Sequence, residues 1–143
     1  MMRTLLAAVA ALTLAAPVAA LACEGEGHAA KTSVKKVDVT ELTRLQKESK
    51  PVVVDVNGKE TRSKYGVIPG AVLLTSAAKY EVAKELPQAK DAKLVFYCAN
   101  TACTASKTAA ERAAAAGYTD VAILPDGIQG WKGAGRPTAL PQS

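Results

Sequence analysis

The run Val52-Val53-Val54-Asp55-Val56 places the tightest constraint on how this chain folds. A continuous β-branched stretch reads as a strand covered on both faces, and such strands belong to parallel sheets. A second run, Leu94-Val95-Phe96-Tyr97, ends on Cys98 and passes through Ala99-Asn100-Thr101-Ala102 to Cys103 and an alanine-rich helix predicted over 102–116. Clefts in open α/β folds lie at the carboxyl edge of the sheet, so this order delivers Cys98 to a cleft. The helix after it aims free N–H groups and the positive end of its dipole at the sulfur. Both favour a thiolate, and equally an anion brought to it. The Cys98 pKa is therefore expected below that of a free thiol.

The other elements alternate between strand and helix. Val37 and Val39 alternate with charged residues as in a short strand, and Thr40-Glu41 starts a helix that runs through Leu42 and Leu45 to Lys50-Pro51. Asn57-Gly58 closes the second strand as a turn. A polar loop or irregular helix over 59–67 follows, then the extended turn Ile68-Pro69-Gly70 and a short strand over 71–74. A helix is predicted over 76–86, strands over 93–97 and 121–124, and a closing helix over 127–133 that carries Trp131. This succession gives a five-stranded, mainly parallel sheet with helices on both faces.

The ends carry different signals. Arg3, the apolar run from Leu5 to Leu14 and Ala20-Leu21-Ala22 read as an export signal over 1–22. A tether over 23–33 without apolar period follows, then one domain over 34–138 and a loose tail over 139–143. The location this implies is periplasmic or exported. Cys23 stands as a lipidation site, a free N-terminal thiol or an intermolecular partner, and membrane contact is expected only if it is lipidated. An oxidising compartment drives exposed thiol pairs toward disulfide, and Cys98 with Cys103 is the obvious couple. The balance of 18 Lys and Arg against 13 Asp and Glu is mild, and the six aromatics are not interleaved with the basic residues, which argues against a nucleic-acid partner.

Four patches give the chain a specific resemblance. Val53-Val54-Asp55-Val56 resembles the aliphatic strand of the single-domain rhodaneses, a sulfurtransferase family, and Gly66-Val67-Ile68-Pro69-Gly70-Ala71 resembles their Gly-His-Ile-Pro-Gly-Ala turn. Leu94 to Cys98 resembles the strand that carries their catalytic cysteine. Gly117-Tyr118-Thr119-Asp120-Val121, with Gly127-Ile128-Gln129-Gly130-Trp131 and Gly135-Arg136-Pro137, resembles their C-terminal signature. The resemblance implies a rhodanese-like α/β fold. It also implies an activity in which Cys98 takes a sulfur from a small sulfur-containing donor, becomes a persulfide and passes it to a thiol or other nucleophilic acceptor. Two family arginines are absent: their positions hold Cys103 and Asn57, and Val67 stands for the family His.

Catalytic roles are accordingly expected for Cys98 and Cys103, and substrate contacts for the loop backbone at Ala99, Asn100, Thr101, Ala102 and Thr104. Asp55 reads either as an anchor of that loop or as a strand-terminating turn residue. Arg62 reads either as a partial replacement for the missing charge or as a solvated side chain. No cofactor is expected, because the chain has no glycine-rich nucleotide loop and no serine-hydrolase constellation. No metal is expected either: His28, the one histidine, lies in the tether, and Cys98 with Cys103 lacks a fourth ligand. Phosphatases of this fold hold phosphate with a loop Arg, which this loop lacks. Two other functions fit the residues: a thiol-disulfide redox protein that cycles Cys98 and Cys103, and a non-catalytic binding module. Cys103 separates them, since a redox relay requires it and a sulfurtransferase does not.

Overall fold

The computed structural model describes residues 33–142. The export signal and the tether up to residue 32 lie outside the described residues. Ten elements follow in order: β1 (Lys35–Lys36), α1 (Val39–Glu48), β2 (Val52–Asp55), α2 (Lys59–Tyr65), β3 (Val72–Leu73), α3 (Val82–Glu85), β4 (Lys93–Tyr97), α4 (Ala105–Ala115), β5 (Asp120–Leu124) and α5 (Gly127–Gly133). The five strands form one parallel sheet in the order β1-β5-β4-β2-β3. After β2 the chain moves outward to β3, and after β4 it moves the opposite way to β5. The connections therefore diverge between β2 and β4, and a crevice opens at the carboxyl ends of those two strands.

Side chains on successive strand residues leave on opposite faces. Leu94, Phe96 and Cys98 of the central strand join Val54, Val56, Val121 and Ile123 beneath α4, in a core that also takes Tyr80 and Leu86. Val95 and Tyr97 join Val53, Ala122 and Leu124 beneath α1 and α5, with Val39, Leu42, Ile128 and Trp131. Helix α4 turns a face of small residues to the sheet, Ser106, Ala109, Ala110 and Ala113, and so lies close against it.

Several boundaries differ from the sequence expectation, each for a local reason. Helix α1 starts at Val39 rather than Thr40, because the Asp38 carboxylate caps it by accepting the Glu41 N–H at 2.7 Å. Val39 is thus a buried helix residue, and the first strand is Lys35–Lys36. The helix expected over 76–86 shrinks to Val82–Glu85. The Glu85 carboxylate accepts the N–H groups of Thr75 and Glu81 and the Thr75 hydroxyl, satisfying backbone donors that a longer helix would have used internally. Helix α4 begins at Ala105 rather than Ala102. Ala139, expected in the loose tail, exchanges both backbone hydrogen bonds with Val67 at 2.8 and 2.9 Å. The Trp131 indole N–H reaches the Pro137 carbonyl at 2.7 Å.

The start of α5 clamps the end of β4. Ile128 N–H donates to the Cys98 carbonyl at 2.9 Å and Gln129 N–H to the Ala99 carbonyl at 3.0 Å. This approach requires glycine at 127, where φ is +60° and a Cβ would lie 2.5 Å from the Cys98 carbonyl oxygen. A Gly127→Ala variant is expected to lose about 3 kcal/mol of stability, because the clash is with backbone that cannot swing away. Urea unfolding checks this, and an unchanged midpoint would show that the clamp yields without cost.

Candidate active site

Cys98 occupies the middle of the sheet's carboxyl edge and is only 1% exposed. Its thiol faces α4, with the Cys103 carbonyl oxygen at 3.3 Å and Ser106 Oγ at 3.5 Å. Burial pushes its pKa up, and the neighbouring Cys103 side chain pushes it further. The N–H and hydroxyl of Ser106 oppose that rise without cancelling it. The expectation of a lowered pKa is thus reversed. The helix end does present a donor to the sulfur, but desolvation of the charged form outweighs it. Ser106 is buried, and its side chain makes this one hydrogen bond. Nothing in the sequence marked it beyond its place in the first turn of the helix.

The loop from Ala99 to Thr104 is curled by Asn100. Its carbonyl accepts the Cys103 N–H at 3.1 Å, and its side-chain Oδ1 accepts the Ala102 N–H at 3.1 Å. Those two donors are used within the loop rather than left open as an anion cradle, and the same turn delays the start of α4. Thr101, Ala102 and Thr104 face solvent, while Ala99 and Asn100 are half-buried. The backbone N–H groups of Ala99 and Ala105 favour the ionised form of Cys103. Burial raises the pKa of that half-buried thiol, but the Cys98 side chain and these two N–H groups outweigh burial and set it below the ordinary thiol range. Cys103 is therefore the more readily ionised thiol of the pair. Both cysteines are free thiols in this structure.

Asp55 and Arg62 are brought together, on the other face of the sheet. The fully buried Asp55 carboxylate accepts Arg62 Nε at 3.1 Å, the Asn57 N–H at 2.7 Å and the Tyr97 hydroxyl at 2.5 Å. Arg62 Nη2 donates in turn to the carbonyls of Asp55 at 3.0 Å and Leu74 at 2.9 Å, and the side chain is 11% exposed. The expectation that Arg62 replaces the missing loop charge is corrected here. Its guanidinium is committed to Asp55 and to the ends of β2 and β3, whereas Cys98 points toward α4. Asn57, at the end of β2, is buried with its Nδ2 lacking a partner among the described residues.

A parallel sheet whose connections diverge beside a cysteine-bearing central strand matches one family model, the rhodanese-like domain, over residues 38–134. The chain belongs to the rhodanese-like family. Solved structures agree with this rhodanese-like assignment. A protein of unknown function from Rhodopseudomonas palustris, described as a possible tyrosine phosphatase, is 28% identical, with 77% of this chain and 88% of that one covered and a TM-score of 0.62. A rhodanese-like domain protein from Staphylococcus aureus is 28% identical, with coverage of 68% and 91% and a TM-score of 0.54. A single-domain sulfurtransferase from Saccharomyces cerevisiae shares the fold at 24% identity, with coverage of 73% and 97% and a TM-score of 0.58. No protein of curated function matches this chain.

Two outcomes test the geometry of this rhodanese-like site. In site-resolved alkylation followed by mass spectrometry, Cys103 is expected to react first as pH rises, at a pH below the free-thiol range, and Cys98 only above it. The sign follows from the two shifts: a lowered pKa enlarges the thiolate fraction at neutral pH and a raised one shrinks it. Arg62→Met is expected to cost about 3–5 kcal/mol in urea unfolding, because it leaves the Asp55 carboxylate buried without its cation. A loss below about 1 kcal/mol, as for an exposed ion pair, would show that solvent reaches Asp55.

Proposed function

We propose that this rhodanese-like domain is a sulfurtransferase that holds sulfane sulfur as a persulfide on Cys98 and works in a periplasmic or otherwise exported setting. The reading is carried by one observation: a buried cysteine at the switch point of the sheet, hydrogen-bonded by the first turn of α4, with a second sulfur beside it. In the uptake step Cys98 gives its proton toward the Cys103 sulfur that it faces. The Cys98 thiolate then attacks the outer sulfur of an organic persulfide R–S–SH, forming Cys98–S–SH and releasing RS⁻, which takes the proton from Cys103 and leaves as RSH. A thiol of raised pKa yields the more nucleophilic sulfur once ionised, and Ser106 steadies the negative charge at each stage.

The donor class follows from the charge at the loop. A sulfonate-bearing donor such as thiosulfate needs a cation where its oxygens lie, and position 103 offers a readily ionised thiol instead. The same lack of a loop guanidinium disfavours phosphoryl transfer. A persulfide or polysulfide donor needs less charge compensation. A thiol-disulfide redox role is a second reading, favoured by the placement of both cysteines in one short loop, with the Cys103 carbonyl oxygen 3.3 Å from Cys98 Sγ.

Sulfur uptake from an organic persulfide is expected to vanish in Cys98→Ser. Thiosulfate turnover is expected to be slow in the parent and to rise about tenfold to a thousandfold in Cys103→Arg, the range for one well-placed charged donor. Intact mass and cyanide-dependent thiocyanate formation read these two outcomes. Uptake that persists in Cys98→Ser would overturn the assignment of the persulfide.

A further inference from the structure

We infer that the persulfide formed on Cys98 is discharged inside the protein by Cys103, with release of hydrosulfide and formation of a Cys98–Cys103 disulfide. The domain would then act as a sulfane-sulfur reductase whose turnover requires a dithiol reductant. This rests on the sulfurtransferase reading and names the fate of the sulfur.

Burial decides which acceptor reaches the persulfide. Cys98 is 1% exposed, its carbonyl is clamped by α5, and α4 closes over its sulfur. That burial disfavours a bulky, protein-bound acceptor thiol. Cys103 is already a neighbour: its carbonyl oxygen lies 3.3 Å from Cys98 Sγ, and its side chain packs against the core cluster that holds Cys98. The Asn100 turn holds it there by accepting the Cys103 and Ala102 N–H groups. A thiol tethered in the same loop outcompetes free thiols, because its effective concentration far exceeds theirs. Its lowered pKa favours the anion that attack requires.

The step balances as Cys98–S–SH plus Cys103–S⁻ giving Cys98–S–S–Cys103 plus HS⁻. The Cys103 sulfur forms a bond to Cys98 Sγ, and the bond between Cys98 Sγ and the sulfane sulfur breaks. The leaving sulfur keeps its proton and the electron pair of that bond. The sulfane sulfur is reduced to sulfide while the two cysteine sulfurs are oxidised to a disulfide. An external dithiol reopens that bond by two thiol exchanges and leaves as its own disulfide.

The test uses the full chain in a Cys23→Ser background, so that Cys98 and Cys103 are the only thiols. Reduced protein, freed of reductant, receives one equivalent of cysteine persulfide, and bimane-trapped sulfide and intact mass are read at the end point. The parent is expected to release about one equivalent of sulfide and to end lighter by two hydrogens, while Cys103→Ser ends heavier by one sulfur and releases none. A parent that holds the added sulfur as stably as Cys103→Ser overturns the inference alone, as does equal sulfide release from both. Stable sulfur on Cys98→Ser but not on Cys103→Ser reverses the order of the two cysteines and overturns the inference as stated. If no form takes up sulfur or releases sulfide, the sulfurtransferase reading fails together with it.

Discussion

A carboxylate sealed in a protein interior must find compensation within reach, and the carboxyl edge of this sheet is organised around that demand at Asp55. Its oxygens collect a guanidinium from α2, a phenol from β4 and an amide from the turn after β2. Each of these partners does a second job. Arg62 also holds the end of β3 through the Leu74 carbonyl, and the Tyr97 hydroxyl accepts the Ile68 N–H at 3.0 Å. One charge thereby joins β2, β3, β4 and the turn before β3, and it fixes the strand end from which Cys98 projects on the opposite side.

The two faces of the sheet divide the labour. Tyr97 and Cys98 are chain neighbours, yet period-two alternation sends the phenol to the Asp55 cluster and the thiol to α4. The cluster sets position and the helix sets chemistry. In this chain the chemistry is unusual for a loop built to hold an anion, because Asn100 takes up two backbone donors that an incoming oxyanion would use. Position 103 has lost the positive charge of the family arginine and carries a thiol in its place.

The sheet was legible because its strands are continuous aliphatic runs and the turns between them carry glycine and proline. The strand that presents Cys98 and the closing helix at 127–133 were read with the boundaries they have. The misplaced helix ends at Thr40, Ser76 and Ala102 share a cause: a polar side chain, Asp38, Glu85 or Asn100, captured backbone N–H groups, and which N–H a flexible carboxylate or amide captures is settled by tertiary packing. The pairing of Asp55 with Arg62 was within reach of strand parity, since residue 55 pairs with 97 in register and 97 must face away from 98. Ser106 was not, because burial of one serine in an alanine-rich turn leaves no pattern. The pKa reversal had the same origin: a helix terminus is visible in sequence, and the depth at which it meets the sulfur is not.

That depth is governed by the alanine face of α4. Side chains at 109, 110 and 113 act as shims between helix and sheet, and their thickness sets how close Ser106 and the Ala105 amide come to the two sulfurs. A methyl added there, one or two turns from the loop and touching no ligand, would lift the helix end and weaken its hold on both thiols. The acidity of the two thiols thus behaves as a steric variable, adjustable from the packing side of the helix while every residue of the loop stays the same.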